Sequence, residues 1–153
     1  MFEKEGMTFI VPEDWKITDE EKFDDGSYYL SIDKNGFDSS GVLIITSYNN
    51  SIDLDELIYF QKEEIQNNVI FKNSVFEPIQ NSEFNSINSR ATHYTFGLLG
   101  LEHEGSIHAF YINDNTFLVM KQGALEDRTV NNKGFDIIED SFGAYVKVKS
   151  AKR

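Results

Sequence analysis

Alternating apolar and polar residues predict a series of strands in the first third of the chain. Residues 8–11 form a short apolar strand, which Pro12 ends because proline cannot donate a ladder hydrogen bond. Trp15 begins a second extended segment, and we expect its indole to close the core rather than to rim a groove. Residues 18–26 are acidic and rich in turn formers. The next apolar positions alternate with polar ones, which predicts a half-buried strand: Tyr28, Leu30 and Ile32.

The hydrophobic period changes from two to about 3.6 after a second apolar strand. Residues 42–46 are a nearly continuous apolar run, which predicts a strand buried on both faces. Residues 53–68 then follow a helical period, with Asp53 as the N-cap and Glu56 as its capping-box partner. The apolar residues of this segment fall on one face of the predicted helix: Leu54, Leu57, Ile58 and Ile65.

Strands return in the second half of the chain and lead to a final helix. Residues 75–79 predict a short strand, and three longer segments predict an antiparallel meander. Those segments are residues 91–98, 106–112 and 117–121. Residues 130–142 carry apolar side chains at helical spacing and end at Gly143. The pattern predicts an α+β fold, a single antiparallel sheet flanked by helices, as one domain over residues 1–146. Residues 147–153 are predicted to be a basic, frayed tail.

The meander has a predicted register and therefore two predicted faces. A turn at Gly100-Leu101 would pair His93 with His108 and Tyr94 with Ile107. One face then collects a coherent apolar set: Tyr94, Phe96, Leu98, Ile107, Ala109, Tyr111, Leu118 and Met120.

The opposite face of the meander supplies the candidate binding residues. It combines His93 and His108 with three apolar side chains, and it is too apolar to face water alone. Its cover is either the helix of residues 53–68, or a second subunit or a client segment. The predicted partner-binding residues are His93, His108, Phe110, Phe117 and Val119.

Composition and charge restrict the class of partner. The 153 residues are 40% hydrophobic and 14% aromatic, enough apolar area to exclude intrinsic disorder. The net charge of −12 disfavours nucleic acid and anionic membrane surfaces as partners. It suits a basic protein partner, or it simply keeps the protein soluble. The absence of cysteine excludes a disulfide framework and a thiol nucleophile but does not decide the compartment. The sequence has no signal-peptide pattern or long apolar span, so we expect a cytoplasmic protein, or an extracytoplasmic one if a leader was removed.

Catalytic and cofactor motifs are missing from the sequence. There is no serine-hydrolase elbow, phosphate-binding glycine loop or calcium-loop spacing. His93 and His108 could share a metal only if Glu102 or Glu104 supplied a third ligand. We interpret them instead as half-exposed strand histidines, and we predict a protein without enzymatic activity, cofactor or metal.

The order of elements resembles the PsbP-like α/β/α sandwich family, which includes photosystem PsbP proteins, Ran-binding Mog proteins and bacterial DcrB-type proteins. The matching residues are Phe9, Pro12 and Trp15, the start of the predicted helix at Asp53, the segment 87–91, and residues 138–142. The resemblance implies a binding or adaptor protein rather than an enzyme. Some bacterial relatives are chaperones that shield apolar N-terminal segments of type VI secretion effectors.

Two hypotheses of function follow. The first is a protein-binding, adaptor or chaperone-like module that acts in the cytoplasm on a protein partner, such as an apolar client segment, and that can form a homodimer. The alternative is an extracytoplasmic, lipoprotein-like accessory domain that binds a small ligand and has lost its leader.

Overall fold

Three long strands joined by two tight turns organise the fold. The structure, a computed structural model, describes residues 1–145. The predicted basic tail and the predicted domain boundary at residue 146 lie outside those residues. The long strands are β8 (Ile87–Leu98), β9 (Leu101–Ile112) and β10 (Asn115–Ala124). The shorter strands are β1 (Phe2–Lys4), β2 (Met7–Phe9), β3 (Trp15–Lys22), β4 (Tyr28–Lys34), β5 (Val42–Tyr48), β6 (Lys72–Phe76), β7 (Gln80–Phe84) and β11 (Gly143–Ala144).

Two sheets and two helices complete the architecture. The large sheet runs in the order β3-β4-β5-β10-β9-β8-β6, with β7 also paired to β8, and every neighbouring pair is antiparallel. The small sheet has the order β1-β2-β11. The helices are α1 (Leu54–Asn67) and α2 (Arg128–Ser141), the latter preceded by one 3-10 turn at Leu125–Asp127. The α+β prediction is confirmed. Neither helix in residues 1–145 is long and apolar enough to cross a bilayer.

The register of the β8–β9 hairpin corrects the predicted one by two residues. The turn is Leu99-Gly100, so that Leu98 pairs with Leu101 and His93 pairs with Ser106. Both turn residues have positive φ, 51° at Leu99 and 81° at Gly100, as the tightest hairpin turns require. Leucine disfavours that conformation, which is why the sequence points to the wrong turn. A shift of two residues keeps each side chain on its face, whereas a shift of one would have reversed both faces.

The first face of the large sheet packs against α1. The Asp53 carboxylate accepts a hydrogen bond from the Glu56 amide at 2.9 Å, which confirms the predicted cap. The predicted apolar set of the meander lies on this face; Tyr111, at its edge, is 41% exposed and donates its hydroxyl to the Ile52 carbonyl at 2.6 Å. The core of this side is formed by Leu57, Ile58, Ile65, Tyr94, Phe96, Ile107, Ala109, Leu118 and Met120.

The second face packs against α2 and the small sheet, which corrects the two covers that we predicted for it. Phe110 and Phe117 stack at 5.7 Å between ring centroids, and Phe142 meets both rings edge-on. Phe110, Phe117 and Val119 are 0%, 2% and 0% exposed. A partner cannot reach these three side chains without displacing α2. The cover comes from the same chain, but from its last helix rather than from α1.

Trp15 closes the core on this side, as predicted. The indole is 6% exposed and meets the Phe135 ring edge-on at 5.4 Å. Gly134 makes this contact possible, because a Cβ at that position would lie 2.3 Å from the indole. Helix α2 therefore approaches the sheet at a residue without a side chain.

Three strands differ from their predictions. β3 continues to Lys22 through the acidic segment. There the Lys22 ammonium forms an ion pair with the Glu5 carboxylate at 2.6 Å, and Lys4 forms one with Glu20 at 2.9 Å. β6 begins and ends three residues earlier than expected, so that Pro78 stays outside the ladder. β5 is buried on only one face: its alternate residues Val42, Ile44, Thr46 and Tyr48 remain half-buried.

Candidate functional site

A cavity of about 320 Å³ lies between the second face of the large sheet and the beginning of α2. We call it the sheet–helix cleft. The sheet contributes His93, Ser106, His108 and Lys121, and the helix contributes Arg128, Asn131, Asn132, Phe135 and Asp136. Glu104 and Gly105 of β9, with Gly123 and Ala124 of β10, complete its wall.

The two predicted histidines meet in this cleft. Their ring centroids lie 6.3 Å apart at an interplanar angle of 83°. His93 is exposed, whereas His108 is 6% exposed and packs against the Phe84 ring at 5.8 Å. Because His108 pairs with Ala91 and His93 pairs with Ser106, the histidines are diagonal rather than direct neighbours. Two of the five predicted binding residues therefore line a cavity, while Phe110, Phe117 and Val119 lie in the core.

Burial keeps His108 neutral. Loss of solvation, together with the nearby Lys121 ammonium, lowers the pKa of His108 to about 4, against the opposing effect of the Glu139 carboxylate. Within residues 1–145, no group forms a hydrogen bond with the buried Nδ1 atom of His108. A neutral imidazole can either accept or donate at such an atom, depending on its tautomer.

An ion pair anchors α2 to the floor of the cleft. The Lys121 ammonium donates a hydrogen bond to Glu139, and the two side chains are only 17% and 21% exposed. Glu139 also accepts a hydrogen bond from the Asn85 amide at 3.1 Å. Burial raises the pKa of Glu139, but the bond and charge of Lys121 outweigh it and hold that pKa below its usual value. Lys121 is therefore already neutralised inside the cleft.

A second ion pair lies at the mouth of the cleft. The Arg128 guanidinium donates two hydrogen bonds to Glu104, at 2.7 and 2.8 Å, in a bidentate geometry. Its side chain is 56% exposed. The pair links the first turn of α2 to β9 and frames the entrance.

Asn131 is the most buried of the α2 cleft residues, none of which the sequence analysis identified. It is 2% exposed, its Nδ2 donates to Ser40 Oγ at 3.2 Å, and its Oδ1 has no hydrogen-bond partner in the described part of the chain. A Cβ at Gly41 would lie 2.5 Å from this oxygen, and one at Gly123 would lie 2.3 Å from the Nδ2. The available signal is its position: Asn131 precedes Phe135 and Ile138 at helical spacing and so is a polar residue on the buried stripe of α2.

The Ser40 hydroxyl fixes the orientation of Asn131. It donates to the Asp127 carboxylate at 2.7 Å and accepts from the Ala124 amide at 2.8 Å. The Nδ2 group of Asn131 is therefore held by this network, and the buried Oδ1 atom is left without a hydrogen-bond partner in the described residues.

The cleft combines hydrogen-bonding groups with balanced charge. Two orphan polar atoms, His108 Nδ1 and Asn131 Oδ1, belong to residues that line it. A buried polar atom without a partner costs roughly 1–3 kcal/mol, which a bound molecule or water would offset. In residues 1–145, no group of three or more histidine, aspartate or glutamate residues is arranged to hold a metal ion. The cleft is suited to binding a small polar molecule.

Comparison with known proteins identifies the fold. No protein-family model and no curated protein match the chain. Its structure is similar to that of LpqN of Mycobacterium tuberculosis, which is involved in cell envelope biogenesis, with 10% identity and a TM-score of 0.53 over 92% of this chain and 83% of LpqN. A Bacteroides thetaiotaomicron protein is similar at 11% identity and a TM-score of 0.59, over 94% of this chain and 47% of the other. This chain spans about half the length of the latter protein. At these identities the similarity shows the fold alone.

Proposed function

We propose that this chain is a non-enzymatic accessory domain that binds a small polar ligand in the sheet–helix cleft. The observation that carries the proposal is the pair of orphan polar atoms on His108 and Asn131, both of which belong to residues of one cavity. Buried polar groups in folded proteins nearly always have partners, so a cavity with two unsatisfied groups is prepared for a molecule that supplies them.

The structural relatives favour the same proposal over a cytoplasmic adaptor. LpqN, at fold level, associates this architecture with cell envelope biogenesis. We extend the proposal accordingly to an extracytoplasmic, lipoprotein-like setting and to membership of the PsbP-like family. The setting can be tested by fractionating cells that express the tagged full-length gene product.

The chaperone-like module, the first of our two hypotheses, has weaker support. Phe110 and Phe117 were its proposed docking residues, and both lie beneath α2. An apolar client at that surface would have to compete with Phe142 for the same position.

A ligand screen tests the proposed function. Small polar metabolites would be screened by thermal shift and confirmed by titration followed by amide NMR. At a hundredfold excess over Kd, a ligand should raise the free energy of unfolding by about 2.7 kcal/mol. The amide shifts should cluster at His93, Ser106 and Asn131.

A matched pair of variants makes the screen decisive. His93→Ala removes an exposed side chain at the cleft, and Thr95→Ala removes an exposed side chain from the same strand outside it. We expect only His93→Ala to weaken binding. Hits that shift residues elsewhere, or that bind both variants equally, would contradict the cleft as the binding site.

A further inference from the structure

The first face of the large sheet is covered over only part of its width. Helix α1 packs against β6, β8, β9 and β10. Over β5 the inward residues Leu43 and Ile45 are fully buried, whereas Ile44 and Thr46 on the α1 side remain partly exposed. Helix α1 reaches only the edge of the strip formed by β3, β4 and β5, where Ile44 and Tyr48 pack against its core.

This strip and the flank of α1 form a groove. Two cavities of about 220 and 440 Å³ adjoin there and share the same four residues: Ile44, Gln61, Glu64 and Met120. Phe23, Tyr29 and Tyr48 line the larger cavity. We call the combined depression the acidic groove. Its floor is apolar and aromatic, as in a surface that packs against another element.

Carboxylates surround the acidic groove. The register places Asp19 opposite Ser31 and Glu21 opposite Tyr29, on the same face as Ile44. Glu64 enters from α1 and forms no ion pair within residues 1–145. Lys16 lies at the far end of this strip, paired opposite Asp33.

This excess of negative charge contributes to the raised pKa values of Tyr29 and Tyr48. Burial raises the pKa of Tyr48, and the Glu64 and Asp25 carboxylates raise it further. Burial also raises the pKa of Tyr29, with additional contributions from Asp19 and Asp33. Acidic side chains thus act on the rings of the groove from the sheet, from a turn and from α1.

We propose that the acidic groove docks a basic amphipathic helix of a partner protein, laid alongside α1. Its apolar face would cover Ile44 and the exposed Phe23, and its lysines or arginines would meet Glu64 and the carboxylates of β3. Arginine and lysine also bind favourably over aromatic faces such as those of Tyr29 and Tyr48. The site lies on a sheet face and not at a sheet edge, so a helix fits it better than an added strand. This inference concerns the opposite face from the sheet–helix cleft and does not depend on the ligand proposed there.

A labelled model peptide tests the inference directly. The probe is a fluorescein-labelled helix of leucine and lysine, about 18 residues or roughly 27 Å long. The comparison peptide replaces every lysine with glutamate. Fluorescence anisotropy at low and physiological salt should show binding of the basic peptide only, weakened as salt increases. Amide NMR shifts should map to β5 and to the Gln61–Glu64 turn of α1.

Matched variants separate the groove from the general acidity of the protein. Glu64→Lys and Glu83→Lys change the net charge equally, but Glu83 is an exposed residue of β7 outside the groove. We expect Glu64→Lys to weaken binding about tenfold more than Glu83→Lys, as for charges in direct contact. Thr46→Tyr fills the groove without a change of charge and should weaken binding by a similar factor, with circular dichroism confirming that the variant is folded.

Several results would overturn the proposal. They are absence of binding at low salt, equal binding of the acidic peptide, and equal effects of the two charge reversals. Sedimentation that shows a dimer abolished by Thr46→Tyr would assign the groove to a second copy of the chain and would equally reject a basic partner. None of these outcomes bears on ligand binding in the sheet–helix cleft.

Discussion

The two faces of the large sheet carry similar apolar residues but are covered to different extents. On the second face, α2 and the small sheet seal an aromatic core in which Phe110 is 0% exposed, and they leave a polar cleft at the beginning of α2. On the first face, α1 covers the long strands and leaves Ile44 and Tyr48 half-exposed. The difference teaches that strand alternation decides which side chains share a face, whereas the elements above the sheet decide how much of that face is sealed.

The largest effect should come from the sealed face. Phe110→Ala removes a ring that is stacked between Phe84 and Phe117 and should cost about 3–5 kcal/mol in the free energy of unfolding. Phe60→Ala on the outer side of α1 is the control, because that ring is 54% exposed and its loss should cost well under about 1 kcal/mol. Urea unfolding measures both. Equal losses would mean that the Phe110 ring is not sealed from solvent.

The next effect is a pH dependence that originates in the cleft. His108 has a folded-state pKa of about 4 against an ordinary value of 6.5, so the folded state favours the neutral ring. The resulting stability is fully present above pH 6.5 and is lost as the pH falls toward 4, by about 3 kcal/mol in total.

Unfolding of His108→Gln and His93→Gln across this pH range isolates the contribution. The loss should disappear in His108→Gln and persist in His93→Gln, whose exposed side chain leaves His108 in place. If the free energy of unfolding of both variants depends on pH as it does in the wild type, the titration of another group causes that dependence.

A smaller effect should come from the ion pair beneath the cleft. Lys121→Met leaves the half-buried Glu139 carboxylate without its cation and should cost about 1–3 kcal/mol at pH 7. Glu139 has a lowered pKa, so the stability from the pair is present above the ordinary carboxylate pKa and lost as the pH falls through the folded value.

The double variant Lys121→Met with Glu139→Gln sharpens this result. This double variant should recover much of the free energy of unfolding that Lys121→Met loses, because no charge remains buried without a partner. Strict additivity of the two single changes would show that the side chains do not interact in solution.

The smallest effect should come from the mouth of the cleft. Arg128→Ala breaks a bidentate but exposed contact with Glu104 and should cost about 0.2–1 kcal/mol, less at high salt. Thermal unfolding at two salt concentrations measures the difference. A salt-independent loss of several kcal/mol would place Arg128 in the packing of α2 rather than at its surface.

The parts of the fold that sequence predicts well are those decided by local chemistry. The Asp53 cap depends on residues three apart in the chain, and the two faces of the meander depend only on parity. A two-residue error in register could therefore leave both faces correct. The turn at Leu99 could not be predicted from its residue type, because leucine does not favour a positive φ. The pairing of β8 with β9 on either side of the turn imposes that conformation.

The candidate site was harder to predict because it is assembled from distant segments. Asn131 lies beside Ser40 only after β10 has joined β5, and β11 pairs with β2 across almost the whole described chain. No local pattern encodes those neighbours. The sequence places His93 and His108 near each other because they share a strand pair, whereas Phe142, which packs on Phe110 and Phe117, lies 32 and 25 positions further along the chain.

The closure of the small sheet by β11 has a consequence for synthesis on the ribosome. Gly143 pairs with Thr8, and the Phe142 carbonyl accepts a hydrogen bond from Asn85, so the last described elements complete contacts with some of the first. While the chain emerges, the aromatic side of the large sheet stays uncovered until α2 and β11 have left the exit tunnel. A nascent chain stalled before α2 should therefore be prone to aggregation and sensitive to proteases. It should become resistant to proteolysis in one step when α2 and β11 leave the tunnel.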